Sequence, residues 1–349
     1  MSVRRRLGAP EDLETPRPLP GRSPVPQRIT AIAVTTDLSR TAVATAAPWF
    51  PGHSEALVLA DGAVARLAMP DDRGTVHDLC FDGDGSALTA MVSRNSIRRW
   101  ALDGSGEEWQ LGMIGSGGSS DLPLAQVAAS SSLGNAGRAA GVFATANAFT
   151  QNVVVRDARS RQVLHDIQQI FRDLPHDDRM VSEGTVALDA GGSRVAFCRP
   201  RRTFWKEDEA IVVQEVGSSS YAEHRTGIRW ANGLAFSPDG AAVAIVGAQE
   251  DQTLATIIDL DDPAGDPEPV VLPTEERVDR VNLRPVWCGT EPRVPIVERD
   301  HVTVWNLATA SPVLSVNVPG PRTATTLSPD GRTLVIASPD DGVHAHPLP

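Results

Sequence analysis

The stretch Leu234-Ala235-Phe236-Ser237-Pro238-Asp239-Gly240, followed by the apolar run Ala242–Val246, decides the fold. Two short apolar segments flank an Asp-Gly pair, and that pair supplies the positive-φ residue that joins antiparallel strands through a tight turn. The pattern recurs. Ser328-Pro329-Asp330-Gly331 follows Thr325-Thr326-Leu327 and precedes Thr333–Ala337. Weaker copies are Phe81-Asp82-Gly83-Asp84-Gly85 before Leu88–Val92, and Leu188-Asp189-Ala190-Gly191-Gly192 before Arg194–Cys198.

A third strand follows in each repeat unit, as in Ile97–Trp100, Val153–Asp157, Ile211–Glu215, Thr256–Asp259 and Val302–Asn306. Taking Leu59, Trp100, Arg156, Gln214, Ile258, Trp305 and Ala345 as equivalent gives intervals of 41, 56, 58, 44, 47 and 40 residues. A fourth apolar segment usually follows, as in Val64–Met69, Gln162–Ile167 and Val313–Val318, and Asp61-Gly62 marks a two-residue hairpin. Four short strands per repeat of this length form a blade that stays half-exposed until it stacks on its neighbours. The expected fold is therefore all-β: a seven-bladed β-propeller of four-stranded antiparallel blades. Residues 29–349 form the ring, with blades starting near Ile29, Thr75, Leu124, Gly184, Ile228, Val278 and Arg322.

These residues resemble WD40-type repeats, best in Val302-Thr303-Val304-Trp305-Asn306-Leu307 and in Leu234 to Gly240. The Ser-Pro-Asp-Gly turns resemble TolB-like propeller repeats equally. No strict Trp-Asp dipeptide occurs, and Gly-His appears once, as Gly52-His53, out of register. The hydrogen-bonded His/Asp/Ser/Trp set that such repeats imply therefore lacks its members in most blades. WD40-like rings act most often as interaction platforms, and that is what the resemblance implies here.

The last repeat has room for three strands: Thr323–Leu327, Leu334–Ala337 and Val343–Leu348. Its missing outer strand is expected from residues 1–28, closing the ring. In Leu13–Arg22, Pro16, Pro18 and Pro20 recur with period two, so all the missing N–H donors lie on one edge, as an outermost strand allows. A polyproline tail is the alternative.

Composition narrows the partners. The chain has 349 residues, 32 basic and 44 acidic side chains, and a net charge of −12. A nucleic-acid partner is not expected from that balance. No apolar run approaches a membrane span, and Arg4, Arg5 and Arg6 lead into no apolar stretch, so neither membrane insertion nor a secretory signal is expected. Cys80, Cys198 and Cys288 are odd in number and sit in apolar strand-like sequence, which points to buried reduced thiols in a cytoplasmic monomer.

No catalytic residue, metal site or cofactor site emerges. His344 and His346 share a strand face without a third ligand. Asp259, Asp261, Asp262 and Asp266 are interrupted by Pro263 and lack calcium-loop spacing. His176-Asp177-Asp178 reads as a polar connection, and Gly115–Ser120 lacks the lysine of a phosphate loop. The loops between second and third strands are different. They carry Trp49 and Phe50, Phe149, and Phe204 and Trp205 with Arg201 and Arg202 beside them; Trp230 stands at the entry to the fifth blade. Six of the chain's 16 aromatics thus gather on one expected face, next to arginine, a composition enriched in protein interfaces. The reading is a non-catalytic scaffold that holds a protein or peptide partner on this face. The alternatives are aromatics that cap gaps between blades, a hydrolase or lyase with its site in the central channel, and a regulatory or sensor subunit of a larger system.

Overall fold

In the computed structural model, the described residues are 5–6, 28–46, 54–60, 63–67, 76–82, 84–92, 96–102, 108–112, 125–129, 142–147, 152–157, 160, 162–166, 185–199, 210–249, 252–262, 267–274, 283–318, 323–339 and 342–349. All their regular structure is strand.

A two-residue strand, β1 (Arg5–Arg6), comes first. Sheet 1 follows as β2 (Arg28–Val34), β3 (Arg40–Ala46), β4 (Ser54–Ala60) and β5 (Ala63–Leu67). Sheet 2 is β6 (Val76–Phe81), β7 (Ala87–Val92), β8 (Ser96–Ala101) and β9 (Glu108–Gly112). Sheet 3 is β10 (Ala125–Ala129), β11 (Val142–Asn147), β12 (Asn152–Asp157) and β13 (Val163–Asp166). Sheet 4 is β14 (Val186–Leu188), β15 (Arg194–Arg199), β16 (Ala210–Glu215) and β17 (Tyr221–Arg225). Sheet 5 is β18 (Trp230–Phe236), β19 (Ala242–Gln249), β20 (Gln252–Asp259) and β21 (Val270–Leu272). Sheet 6 is β22 (Val286–Cys288), β23 (Glu291–Val297), β24 (His301–Asn306) and β25 (Ser311–Asn317). These six are complete runs of four consecutive antiparallel strands. Sheet 7 holds β26 (Ala324–Leu327), β27 (Thr333–Ser338) and β28 (Gly342–Pro347), with β1 beside β28 through Arg5↔Ala345 and Arg6↔His344.

The first strand of each sheet is its inner one. β2 touches β6, β6 touches β10, and contacts continue through β14 and β18 to β22; β23 then meets β26, and β26 meets β2. The sheets therefore form a ring. Its core lies between sheets rather than within them. Val195, Phe197 and Val212 of sheet 4 pack on Ala144, Val153 and Val155 of sheet 3. Ile228, Leu234, Phe236 and Ile245 of sheet 5 pack on Ile211 and Cys198 of sheet 4. At the joint between first and last sheets, Ile29, Ile32, Val34 and Val43 meet Val335, Ala337, Val343 and Ala345. One sheet alone would leave these faces in water, at about 25 cal/mol per Å² of apolar surface.

The quoted turns share one geometry in five sheets. Thr35, Asp82, Asp189, Ser237 and Ser328 each donate their backbone N–H across the turn, to the carbonyls of Arg40, Ala87, Arg194, Ala242 and Thr333. The fourth turn residue is left-handed: Gly85, Gly192, Gly240 and Gly331, with φ between 66° and 73°, and Leu38 at 58°. Leu38 packs against the Ile29–Val343 cluster, which offsets the strain of that conformation in a side-chain-bearing residue.

One expectation changes, and two fall on residues outside the described set. The start of the sixth repeat, expected near Val278, falls among residues 275–282, which lie outside that set; the first described strand of sheet 6 begins at Val286. Only Cys198 is buried, because Cys80 and Cys288 lie half-buried on their strands; none of the three is disulfide-bonded. The proline-spaced stretch 13–22 lies outside the described residues, and the strand beside β28 is Arg5–Arg6.

Candidate functional site

The two ends of the strands differ in chemistry. At one end, where first strands turn into second and third into fourth, polar groups are satisfied locally. Ser237 Oγ donates to Asp239 Oδ1 at 2.6 Å, Ser328 Oγ to Asp330 Oδ1 at 2.5 Å, and Thr35 Oγ1 to Asp37 Oδ1 at 2.7 Å. The bonds from Thr35 and Ser237 are the main reason that the Asp37 and Asp239 carboxyls titrate below the usual aspartate range. Asp157, Asp259 and Asn306 cap the third-to-fourth turns by accepting backbone N–H bonds from Ser160, Asp261 and Ala308.

The same end carries a recurrent link between sheets. Arg40 Nη1 donates to the Gly85 carbonyl at 2.5 Å, Arg194 Nη2 to the Gly240 carbonyl at 2.8 Å, and Arg293 Nη1 to the Gly331 carbonyl at 3.5 Å. Each arginine opens the second strand of one sheet or lies close to its start. Each acceptor is the left-handed turn glycine of the next sheet. The Arg194 guanidinium also lies 5.5 Å from the Phe236 ring centre. Sequence reading missed these links. Their trace was an arginine standing 45, 46 or 38 residues before a turn glycine, close to one repeat.

The opposite end carries the second-to-third connections. Strands β3 and β4 bracket 47–53, which includes Trp49 and Phe50. Strands β11 and β12 bracket 148–151, which includes Phe149. Strands β15 and β16 bracket 200–209, which includes Arg201, Arg202, Phe204 and Trp205. All of these residues lie outside the described set. Trp230 begins β18 and pairs with Ala248, one residue from the Gln249↔Gln252 end of the β19–β20 hairpin, so its backbone stands at this end.

The best-described part of this end is the β23–β24 hairpin. His301 Nδ1 donates to Asp300 Oδ1 at 2.9 Å, and its Nε2 faces Glu298 Oε2. The bond from His301 is the largest influence holding the Asp300 carboxyl below its ordinary range. Glu298 is buried, and its Oε1 has no hydrogen-bond partner among the described residues. The two ring nitrogens point to opposite carboxylates, so the three side chains do not converge on one point, and among the described residues no group of three ligands could hold a metal. His344 is half-buried and His346 buried on β28, where they pack as strand residues; Asp259, Asp261 and Asp262 form an exposed loop.

A charged pair also reaches across the middle of the ring. Asp78 of β6 pairs with Arg284, which precedes β22, so sheets 2 and 6 meet although they are not neighbours. Asp78 was visible as a carboxylate inside the apolar strand Val76–Phe81, and its partner was not.

No protein-family model matches the chain, and no curated protein matches it. Among solved structures, 1398 chains match. One is from a structure described as "Crystal Structure of Mitotic Checkpoint Complex", with a TM-score of 0.63 and 15% identity over 92% of this chain and 91% of that one. At that identity the likeness concerns the fold, and a fold shared so widely does not select a function. Together with the ring of small antiparallel sheets, it gives this chain a β-propeller fold.

Proposed function

We propose that the protein is a non-catalytic scaffold that binds a protein or peptide partner through the end of the ring carrying the second-to-third connections. The anchors in this reading are Trp49, Phe50, Phe149, Phe204, Trp205 and Trp230, with Arg201 and Arg202 supplying charge and planar hydrogen bonding. One observation carries it: the turn end is locked by its own side chains and by the arginine links, whereas the other end is bracketed around aromatic- and arginine-rich segments. Buried aromatic anchors beside arginine are what a partner surface uses to exclude water. The matched solved structure is a multi-protein assembly, which supports a scaffold role by analogy.

The same reading takes sheet 7 as a seventh blade that the N-terminal segment completes, and the molecule as a cytoplasmic monomer with neither nucleic-acid nor membrane partners. Deletion of residues 1–28 tests the closure. Loss of the outer strand lowers the melting midpoint by many degrees, and an unchanged midpoint contradicts it. Affinity capture tests the scaffold. The wild type captures a partner and the Phe204→Ala/Trp205→Ala variant does not, with an unchanged melting curve. Severe destabilisation of that variant would instead mean that the two rings fill a gap between blades.

A further inference from the structure

Asp78 and Arg284 are 206 residues apart; Asp78 lies in sheet 2, and Arg284 lies two residues before the first strand of sheet 6. Around the ring, sheets 1 and 7 separate them on one side and sheets 3, 4 and 5 on the other. A direct contact between them must therefore cross the central channel. The surroundings fix both ends. A register shift between Val76 and Asp78 bulges β6, and a bulge re-aims the side chain next to it. The Leu79 N–H donates to Asp78 Oδ1 at 2.9 Å, and the Asp78 side chain is 5% exposed. On the far side, the Arg284 backbone is clamped against sheet 5: a Cβ placed on Gly233 would overlap the Leu283 carbonyl oxygen and press on Pro285. From that stem the guanidinium reaches Asp78 Oδ2 and also donates to the Leu79 carbonyl at 3.4 Å. The Arg284 side chain is 30% exposed, and burial lowers its pKa to about 10.

We propose that this pair is a tie across the channel that holds the ring shut at the joint between sheets 1 and 7. That joint differs from the others. At every other joint the last strand of one sheet runs on in the chain to the first strand of the next, whereas β26–β28 are held to sheet 1 by side-chain packing and by pairing with the short β1, from which the chain leads to β2. Opening it swings sheets 1 and 2 away from sheets 6 and 7, and the Asp78–Arg284 contact spans that gap. Asp78 is buried, so removing the guanidinium takes away an opposite charge that helps to hold its carboxylate out of water. The proposal is independent of which end of the ring binds a partner.

A double-mutant cycle on the full chain tests it, using Asp78→Asn, Arg284→Met and the two combined, with denaturant midpoints and amide hydrogen exchange. Each single variant lowers the midpoint, and the double variant loses clearly less than the sum. Exchange in β2 and β26 rises at least about tenfold in all three variants, the double included, because the tie is absent from each. Val195→Ala, a core change in sheet 4 of similar cost, does not raise exchange selectively in those strands. Additive losses, or β2 and β26 exchange no faster than in Val195→Ala, overturn the proposal. If Asp78→Asn does not fold, Arg284→Lys keeps the charge and shortens the reach. Faster exchange at the same strands supports the tie, and unchanged exchange overturns it.

Discussion

Trp305 stands where the WD40 resemblance is best, yet it does not make the bond that such repeats imply. It is 5% exposed, and its indole Nε1, like that of Trp100, is buried without a hydrogen-bond partner among the described residues. Its contribution is the area it covers between Val294 and Leu307. An orphaned donor is a liability that phenylalanine removes while keeping most of the ring. Trp305→Phe should change the unfolding free energy by within about 1 kcal/mol, whereas Trp305→Ala should cost about 3–5 kcal/mol by leaving a cavity. Urea denaturation of both variants checks this, and a large loss in the phenylalanine variant would reveal a bond the indole makes. The sequence announced this residue's place in its strand. The missing bond agrees with the sequence, in which the His/Asp/Ser/Trp set lacks its members in most blades.

The strand pairs were the most legible level. Asp61-Gly62 marked a hairpin, and β4 and β5 pair up to Ala60↔Ala63 around it. The Ser-Pro-Asp-Gly turns lie where the first and second strands of sheets 5 and 7 meet. The first turn of the sixth sheet lacks that signature: Cys288-Gly289-Thr290-Glu291 closes β22 on β23 instead. What joins one sheet to the next was less legible, since an arginine at the start of a strand looks like any exposed charge. Arg194 shows what it does. It bonds the Gly240 carbonyl and lies over Phe236 in the next sheet. Arg194→Met keeps the aliphatic stem and removes both contacts, so it should cost about 1–2 kcal/mol. Equilibrium unfolding checks the value, and a change below a few tenths would mean that the link is incidental.

At the scale of the whole molecule, acid should loosen the ring before it titrates the turn carboxylates. His165 accepts the Gly217 N–H on Nδ1 at 3.1 Å, which joins sheets 3 and 4 and requires a neutral ring. Burial is the main cause that lowers the pKa of His165, and the cause for His224 on β17. The unfolded chain takes up these protons near about pH 6.5 and the folded chain only at lower pH. Stability is therefore full above that pH and falls as the pH drops through it. Asp37 and Asp239, held low by their hydroxyl partners, add a second loss only below the usual aspartate range. Denaturant midpoints measured from about pH 8 to about pH 5 should fall, and the slope should flatten in His165→Asn/His224→Asn; an equal slope in that variant would assign the effect elsewhere. The ring was legible because each sheet must bury its faces on two neighbours. The tie across the channel was not, because nothing local to Asp78 or Arg284 names the other. The aromatic segments were found by composition, and their role is a question of binding. Calorimetric titration of the captured partner against paired variants answers it most directly. Trp49→Ala/Phe50→Ala and Phe204→Ala/Trp205→Ala alter one end of the ring, and Ser237→Ala/Asp239→Ala alters the other. The account predicts that affinity falls at least about tenfold for the first two variants and is unchanged for the third, each aromatic pair contributing more than about 1.4 kcal/mol. Full affinity in the aromatic variants, or a loss confined to the turn variant, would contradict it.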